Sequence, residues 1–149
     1  MKDYRFWEML LNPPLVAAVA AMASSQLFKA LKPLAKGKLP DLRKIADYGG
    51  WPSSHTAFIA ACALSVGIVE GFRSGLFAVA LVVACILIYD ILKLRRVVEL
   101  DGLEIDRLLS LGSMTRAETP PQFKGHSPAE VVGGVLWGFV WAIGTCAFF

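Results

Sequence analysis

Residues 75–91 read GLFAVALVVACILIYDI, a run whose one charged side chain is Asp90. A helix of about 20 apolar residues crosses a bilayer core, and this stretch approaches that length. Three further apolar runs flank it, at 13–28, 56–69 and 129–149. The chain has 149 residues, 56% of them apolar, and gathers its polar groups between the runs. That length suits one domain, and apolar content clustered in this way departs from an ordinary soluble fold. The expected architecture is therefore all-α: a single integral membrane helical bundle spanning 1–149, with about four transmembrane helices near 12–32, 55–71, 75–94 and 127–148.

Local signals set the helix ends. Pro33 terminates the first helix, because proline has no N–H and clashes with the preceding turn. Ser53 or Ser54 caps the second, which ends at Glu70-Gly71. Phe72 to Gly75 forms a tight turn into the third, which runs past Asp90 towards Arg96. Apolar residues alternate with acids over 97–111, the pattern of an amphipathic helix lying on the membrane surface, with Gly102 counting against it. Ser127-Pro128 starts the last helix, proline being suited to the first helical position. Gly134, Gly138 and Gly144 on that helix offer close approach to a neighbour.

The first run does not read as a signal peptide, since it follows mixed charges (Lys2, Asp3, Arg5, Glu8) and lacks a cleavage site. Cys62, Cys85 and Cys146 lie within apolar runs without metal-ligand spacing, and read as small buried hydrophobes. The net charge of +3 is informative through its distribution. With four spans, the loops 29–54 and 93–126 share one face, and they hold twelve of the fifteen basic residues. The positive-inside rule places that face in the cytoplasm. A phosphate-binding site there would be basic too.

That face also carries both of the chain's histidines. His126 and Glu130 are four residues apart, so on a helix they share a face. The carboxylate would then orient the imidazole and leave its other nitrogen free to attack. Alternatively, Glu130 simply favours the positive end of the helix dipole. Gly49-Gly50 allows close backbone approach, and Ser53 and Ser54 with the N–H groups of a helix start form an anion cradle. His55 beside them is placed to protonate a leaving oxygen, or is an interfacial residue next to a plain cap. Asp90 is costly in lipid and is expected to face the bundle interior or the interface and to find a partner, with Arg95 and Arg96 the near candidates. Arg96 reads as a bidentate phosphate clamp or as a snorkelling interfacial arginine. Lys29 has the same two readings.

Taken in order, Asn12-Pro13, Gln26-xx-Lys29, Gly49-Gly50-x-Pro52-Ser53-Ser54-His55, Asp90 with Arg95-Arg96, and Gly125-His126-x-Pro128-x-Glu130-Val131-xx-Gly134 resemble the divergent branch of the type 2 phosphatidic acid phosphatase family. These are small multi-pass membrane proteins related to acid phosphatases and vanadium haloperoxidases. The resemblance covers nearly the whole chain. It implies metal-independent dephosphorylation through a phosphohistidine, with His126 as nucleophile, Glu130 as its orienting acid, His55 as general acid, and Ser53 and Ser54 as phosphate cradle. The chain departs from the parent motifs at several points. Ser54 stands where Pro-Ser-Gly-His has glycine, and Glu130 stands for aspartate. Thr119-Pro120 occupies the place of Ser-Arg before the nucleophile, so Arg96, Arg116 or Lys124 would have to supply the missing charge. Lys36 and Arg43 have the Lys-x6-Arg spacing, but Lys44 follows instead of proline, which leaves Lys29 as a rival.

The resulting expectation is a lipid-phosphate phosphatase acting on the phosphatidate, phosphatidylglycerophosphate or prenyl phosphate class. His126, His55 and Glu130 are its catalytic groups. Lys29, Ser53, Ser54, Arg95 and Arg96 hold the phosphate, supported by Asp90, Gly49, Gly50 and Gly125. No metal or other cofactor is expected. Expected partners are membrane lipid, a phosphorylated lipid and a second copy of the chain, with nucleic acid excluded. The expected location is the plasma (inner) membrane. Two alternatives stand beside it: a non-catalytic protein that binds or carries anionic lipid phosphates, and a structural membrane subunit.

Overall fold

The computed structural model describes residues 11–40, 50–111 and 126–149, without the side chains of Lys36, Leu94, Arg95, Arg96, Glu99, Leu109 and Ser110. The described residues are helical: α1 Pro13–Leu31, a 3-10 segment Lys32–Lys36, α2 Ser54–Glu70, α3 Gly75–Leu111 and α4 Pro128–Phe148. Asn12 caps α1 by accepting from the Leu15 N–H at 3.0 Å, and Pro33 falls just past its end. Ser53 caps α2, and Gly71 closes it with φ of 89°. Ser74 accepts from the Phe77 N–H at 3.1 Å, which starts α3. Ser127 caps α4 with Pro128 inside the first turn. Each boundary thus follows from short-range chemistry written in the sequence.

Among the described residues, three helices are long and apolar enough to cross a membrane, over Pro13–Ala35, Gly75–Lys93 and Pro128–Phe148. The fourth, α2, has 17 residues, about 25 Å of helix against a bilayer core of about 30 Å. It is the central element: α1, α3 and α4 all pack on it, α1 and α4 also pack on each other, and α3 barely meets α4. The other helices thus shelter the one least able to span.

Between α1, α2 and α4 the core is made of small residues. Ala17, Ala21, Ala57 and Ala61 are fully buried in one cluster, with Trp137 and Trp141 packed against it. In lipid the hydrophobic effect does little to join helices, so van der Waals contact between closely approaching backbones must do it. α4 supplies the closest approach. A Cβ on Gly134 would stand 2.5 Å from the Ser53 carbonyl oxygen, and one on Gly138 2.5 Å from the Ala57 carbonyl oxygen. Both contacts join positions separated by the same sequence offset, so α2 and α4 run parallel and in register. Gly144, expected in the same stripe, meets nothing within 4 Å; six residues past Gly138, it is turned about 120° round the helix from it.

Two expectations for the third helix are corrected. Residues 97–111 continue α3 without a break, giving 37 residues, so the surface helix is an extension of a span. Gly102 does not interrupt it, a single mid-helix glycine costing only about 1 kcal/mol. Cys85 is exposed on the outer face of α3, whereas Cys62 and Cys146 are half-buried; all three are free thiols.

Candidate active site

Buried polar residues concentrate at one end of the bundle. Ser25 and Lys29 end α1, Ser53, Ser54 and Thr56 begin α2, and His126 precedes α4. Lipid and small-residue packing leave such groups no water, so each needs a partner or a ligand.

The two histidine-bearing segments are joined directly. The Ser53 N–H donates to the Glu130 carbonyl oxygen at 3.0 Å, tying the start of α2 to the first turn of α4. Ser53 Oγ lies 2.9 Å from Thr56 Oγ1 and accepts weakly from the Thr56 N–H at 3.4 Å. The Ser54 hydroxyl is different: its Oγ is buried and has no hydrogen-bond partner. Lys29 is 7% exposed, and its aliphatic stem runs over Gly50, where a Cβ would stand 3.3 Å from Lys29 Cδ. Gly50 also has φ of 90°, so both its backbone and its lack of side chain serve that crossing. The Glu130 carboxylate acts electrostatically on Lys29. The end of α1 and the starts of α2 and α4 therefore converge on one small polar region.

Aromatic rings wall this region. Phe28 meets Trp51 edge-on at 5.8 Å and Trp137 at 5.4 Å. The Trp51 indole lies against Gly133, where any side chain would collide with it. The Trp137 N–H donates to Ser24 Oγ at 2.9 Å, which fixes its ring between α1 and α4.

His126 stands one residue ahead of the Ser127 cap, outside the helix. Helical spacing alone therefore does not set the geometry between His126 and Glu130. Glu130 instead closes a capping box: its Oε2 accepts from the Ser127 N–H at 3.1 Å, and Ser127 Oγ accepts from the Glu130 N–H at 3.3 Å. His126 is 7% exposed, and its Nδ1 is buried. His55 lies in the first turn of α2 and is exposed.

The family model of the divergent PAP2 family matches residues 10–141. The chain belongs to that family. An uncharacterized membrane protein of Bacillus subtilis (strain 168), YuiD, is 30% identical over 156 aligned positions, covering 95% of this chain and 99% of that protein. No solved structure matches the chain.

For this divergent PAP2 chain, the structure brings Lys29, Gly50, Ser53, Ser54 and Glu130 together. Asp90 is not among them: it is exposed on α3, while its neighbour Ile91 is buried against the bundle. The packed face of α3 is set by Ala84 and Ile91, seven residues apart, and Asp90 lies about 100° round the helix from the latter. Of the two placements expected for Asp90, bundle interior or interface, its exposure leaves the interface. Arg95 and Arg96 lie on α3, but their side chains fall outside the described residues, as do all of Gly49, Gly125, Arg43, Lys44, Arg116, Thr119, Pro120 and Lys124. Two contributions went unread in the sequence. The capping box was legible as Ser127-x-x-Glu130; the seat of Trp51 had only the doubled glycine at 133–134 as a signal.

Proposed function

We propose that this membrane protein is a lipid-phosphate phosphatase that works through a phosphohistidine at His126. The observation that carries the reading is the Ser53–Glu130 backbone bond, which holds the two histidine-bearing helix starts side by side, next to a buried lysine and an unpartnered buried hydroxyl. Lys29 and the start of α2 would hold the phosphoryl oxygens, since helix starts and ammonium groups both favour anions. The Ser54 hydroxyl would donate to one of those oxygens and so gain the partner it lacks.

In the first step the lone pair on an imidazole nitrogen of His126 attacks phosphorus. The P–O bond to the lipid alcohol breaks, and protonated His55 gives its proton to the leaving oxygen. In the second step neutral His55 takes a proton from water, the hydroxide oxygen bonds to phosphorus, and the P–N bond breaks to release phosphate and restore His126. Glu130 would stabilise the positive charge that builds on the imidazole. Cationic and N–H groups placed around the transferred phosphoryl would supply most of the barrier lowering. The bundle would span the plasma membrane four times, with this end facing the cytoplasm.

A second reading is non-catalytic binding of lipid phosphates. It is favoured by one observation: Glu130 Oε2 is already engaged by the Ser127 N–H. Rapid quenching separates the two readings. Protein mixed with phosphorus-labelled lipid phosphate and quenched in base should carry acid-labile label on the peptide containing His126. Full occupancy of the site with no label on that peptide at any quench time would sink the catalytic reading and leave the binding one.

A further inference from the structure

The face of α3 turned away from the bundle is apolar well beyond the membrane. Its less exposed residues, Phe77, Ala80, Ala84, Ile88 and Ile91, recur every three or four positions and mark the side that packs on α2. Ile86 lies about 200° round the helix from Ala84, within an exposed stripe. Inside the span that stripe is Leu76, Val79, Val83 and Ile86; past the span it continues through Val97 and Leu100 to Leu111. Lipid covers the first group. It does not reach the second, because α3 runs unbroken from the end of the span at Lys93 to Leu111, about 27 Å of helix. An apolar stripe left in water there costs free energy unless a partner covers it.

The stripe repeats every seven residues. One column is Leu76, Val83, Asp90, Val97, Glu104 and Leu111; the other is Val79, Ile86, Lys93, Leu100 and Arg107. Two columns separated alternately by three and four positions are the a and d positions of a coiled coil. Both polar interruptions have one form. An acid in the first column, Asp90 or Glu104, is followed three residues on by a base in the second, Lys93 or Arg107. All four are exposed, and within the helix Glu104 stands 3.7 Å from Arg107.

We infer that two copies of the chain associate through this stripe, their α3 helices forming a parallel coiled coil that begins in the bilayer and continues beyond it. The occupant must offer a helix that crosses the membrane and goes on for about 27 Å. Among the described elements only α3, with 37 residues, has that length; α1, α2 and α4 have 19, 17 and 21. Copies inserted alike in one membrane run their α3 helices parallel about a two-fold axis, so like columns meet. A side chain of the first column then fits a hole that includes the partner's second-column residue three positions further along. Asp90 comes beside Lys93 of the second copy, and Glu104 beside Arg107 of the second copy. Each polar level thus holds two acids and two bases with no net charge, and Asp90, exposed in the last turn of a span, gains a cation. The membrane surface is not the occupant, because the extension continues a span instead of lying flat. The inference is independent of the chemistry proposed for His126.

Cysteine cross-linking in native membranes tests the seam. In the full chain with Cys62, Cys85 and Cys146 replaced by alanine, a single cysteine replaces Val97 or Leu100 on the stripe, or Val98 or Ile105, about as exposed, off it. Mild oxidation should join Val97→Cys and Leu100→Cys chains into dimers with at least about tenfold the yield of Val98→Cys and Ile105→Cys, since only facing positions meet the geometry of a disulfide. Charge reversal tests the match without cysteines. Glu104→Arg sets four cations at one level and Arg107→Glu four acids, so each variant alone should dimerise at least about tenfold more weakly than wild type. Mixed together, the two variants should pair as tightly as wild type, a recovery that misfolded chains would not show. Equal yields at all four cysteine positions, no dimer at any, or adducts to a different protein at Val97→Cys overturn the inference. So does a mixture of the reversed variants that pairs no better than either alone.

Discussion

At Glu130 one carboxylate serves two neighbours, capping the Ser127 N–H through Oε2 while acting on the buried Lys29 ammonium. The two duties separate under Glu130→Gln, because glutamine also closes a capping box but carries no charge. Thermal stability in detergent should change by no more than about 0.5 kcal/mol, as for a substitution that keeps its contacts. Turnover should fall by about tenfold to a thousandfold, since the charge opposite the developing imidazolium is gone. Lys29→Met, close in length and apolar, should keep the fold and weaken lipid-phosphate affinity at least about tenfold; unchanged affinity in a binding titration would remove Lys29 from the site. Much of this residue-level detail was legible beforehand. Gly50, Ser53 and Ser54 stood out because glycine and helix-start hydroxyls have defined chemistry. Gln26 Oε1 is buried and has no hydrogen-bond partner; that was not legible, because it depends on how α1 is rotated against α2, which helical spacing along the sequence does not report.

Between elements, the decisive contact is α2 on α4. Gly134→Ala would push a methyl into the Ser53 carbonyl oxygen, a backbone atom that cannot swing away. Overpacking of this kind typically costs about 1–3 kcal/mol, and here it also disturbs the Ser53–Glu130 bond that aligns the candidate site. The melting temperature in detergent should therefore drop for Gly134→Ala and stay level for Gly144→Ala, whose Cβ would meet nothing within 4 Å. Equal melting temperatures for the two variants would contradict the parallel register. The sequence marked both glycines alike, because a small residue advertises only the permission for close approach; whether a neighbour uses it is a tertiary fact. The same limit explains residues 97–111. Their mixed apolar and acidic pattern fits a helix on a surface or one continuing from a span, and only the unbroken backbone of α3 decides. The ends of α1, α2 and α4 were readable because Asn12, Ser53, Ser127 and Pro128 act on the backbone within four residues of themselves.

For the whole molecule, α3 is the outlier. Its 37 residues amount to about 55 Å, roughly twice the 17-residue α2 beside it, so its second half extends past the end of the bundle that holds the polar region. The exposed Arg107–Glu104 pair at 3.7 Å lies on that extension, as expected of a segment beyond the hydrocarbon. The basic loops at this end predict a cytoplasmic location. In a chain with Cys62, Cys85 and Cys146 replaced by alanine, Lys38→Cys should react with an impermeant maleimide only after the cytoplasmic side is opened, and a tag placed after Phe149 should be reached from outside. Labelling of Lys38→Cys on intact cells would invert the topology. The central claim concerns chemistry at His126, and phosphate release by the purified chain tests it most directly. The substrates would be 1-acylglycerol phosphate, phosphatidate, phosphatidylglycerophosphate and prenyl mono- and diphosphates, with EDTA present throughout. The account predicts release that chelation leaves intact and that His126→Ala lowers by at least about a thousandfold, the scale of losing a nucleophile. Release that persists undiminished in His126→Ala, or a folded wild-type chain that binds these lipids and frees no phosphate, would contradict it.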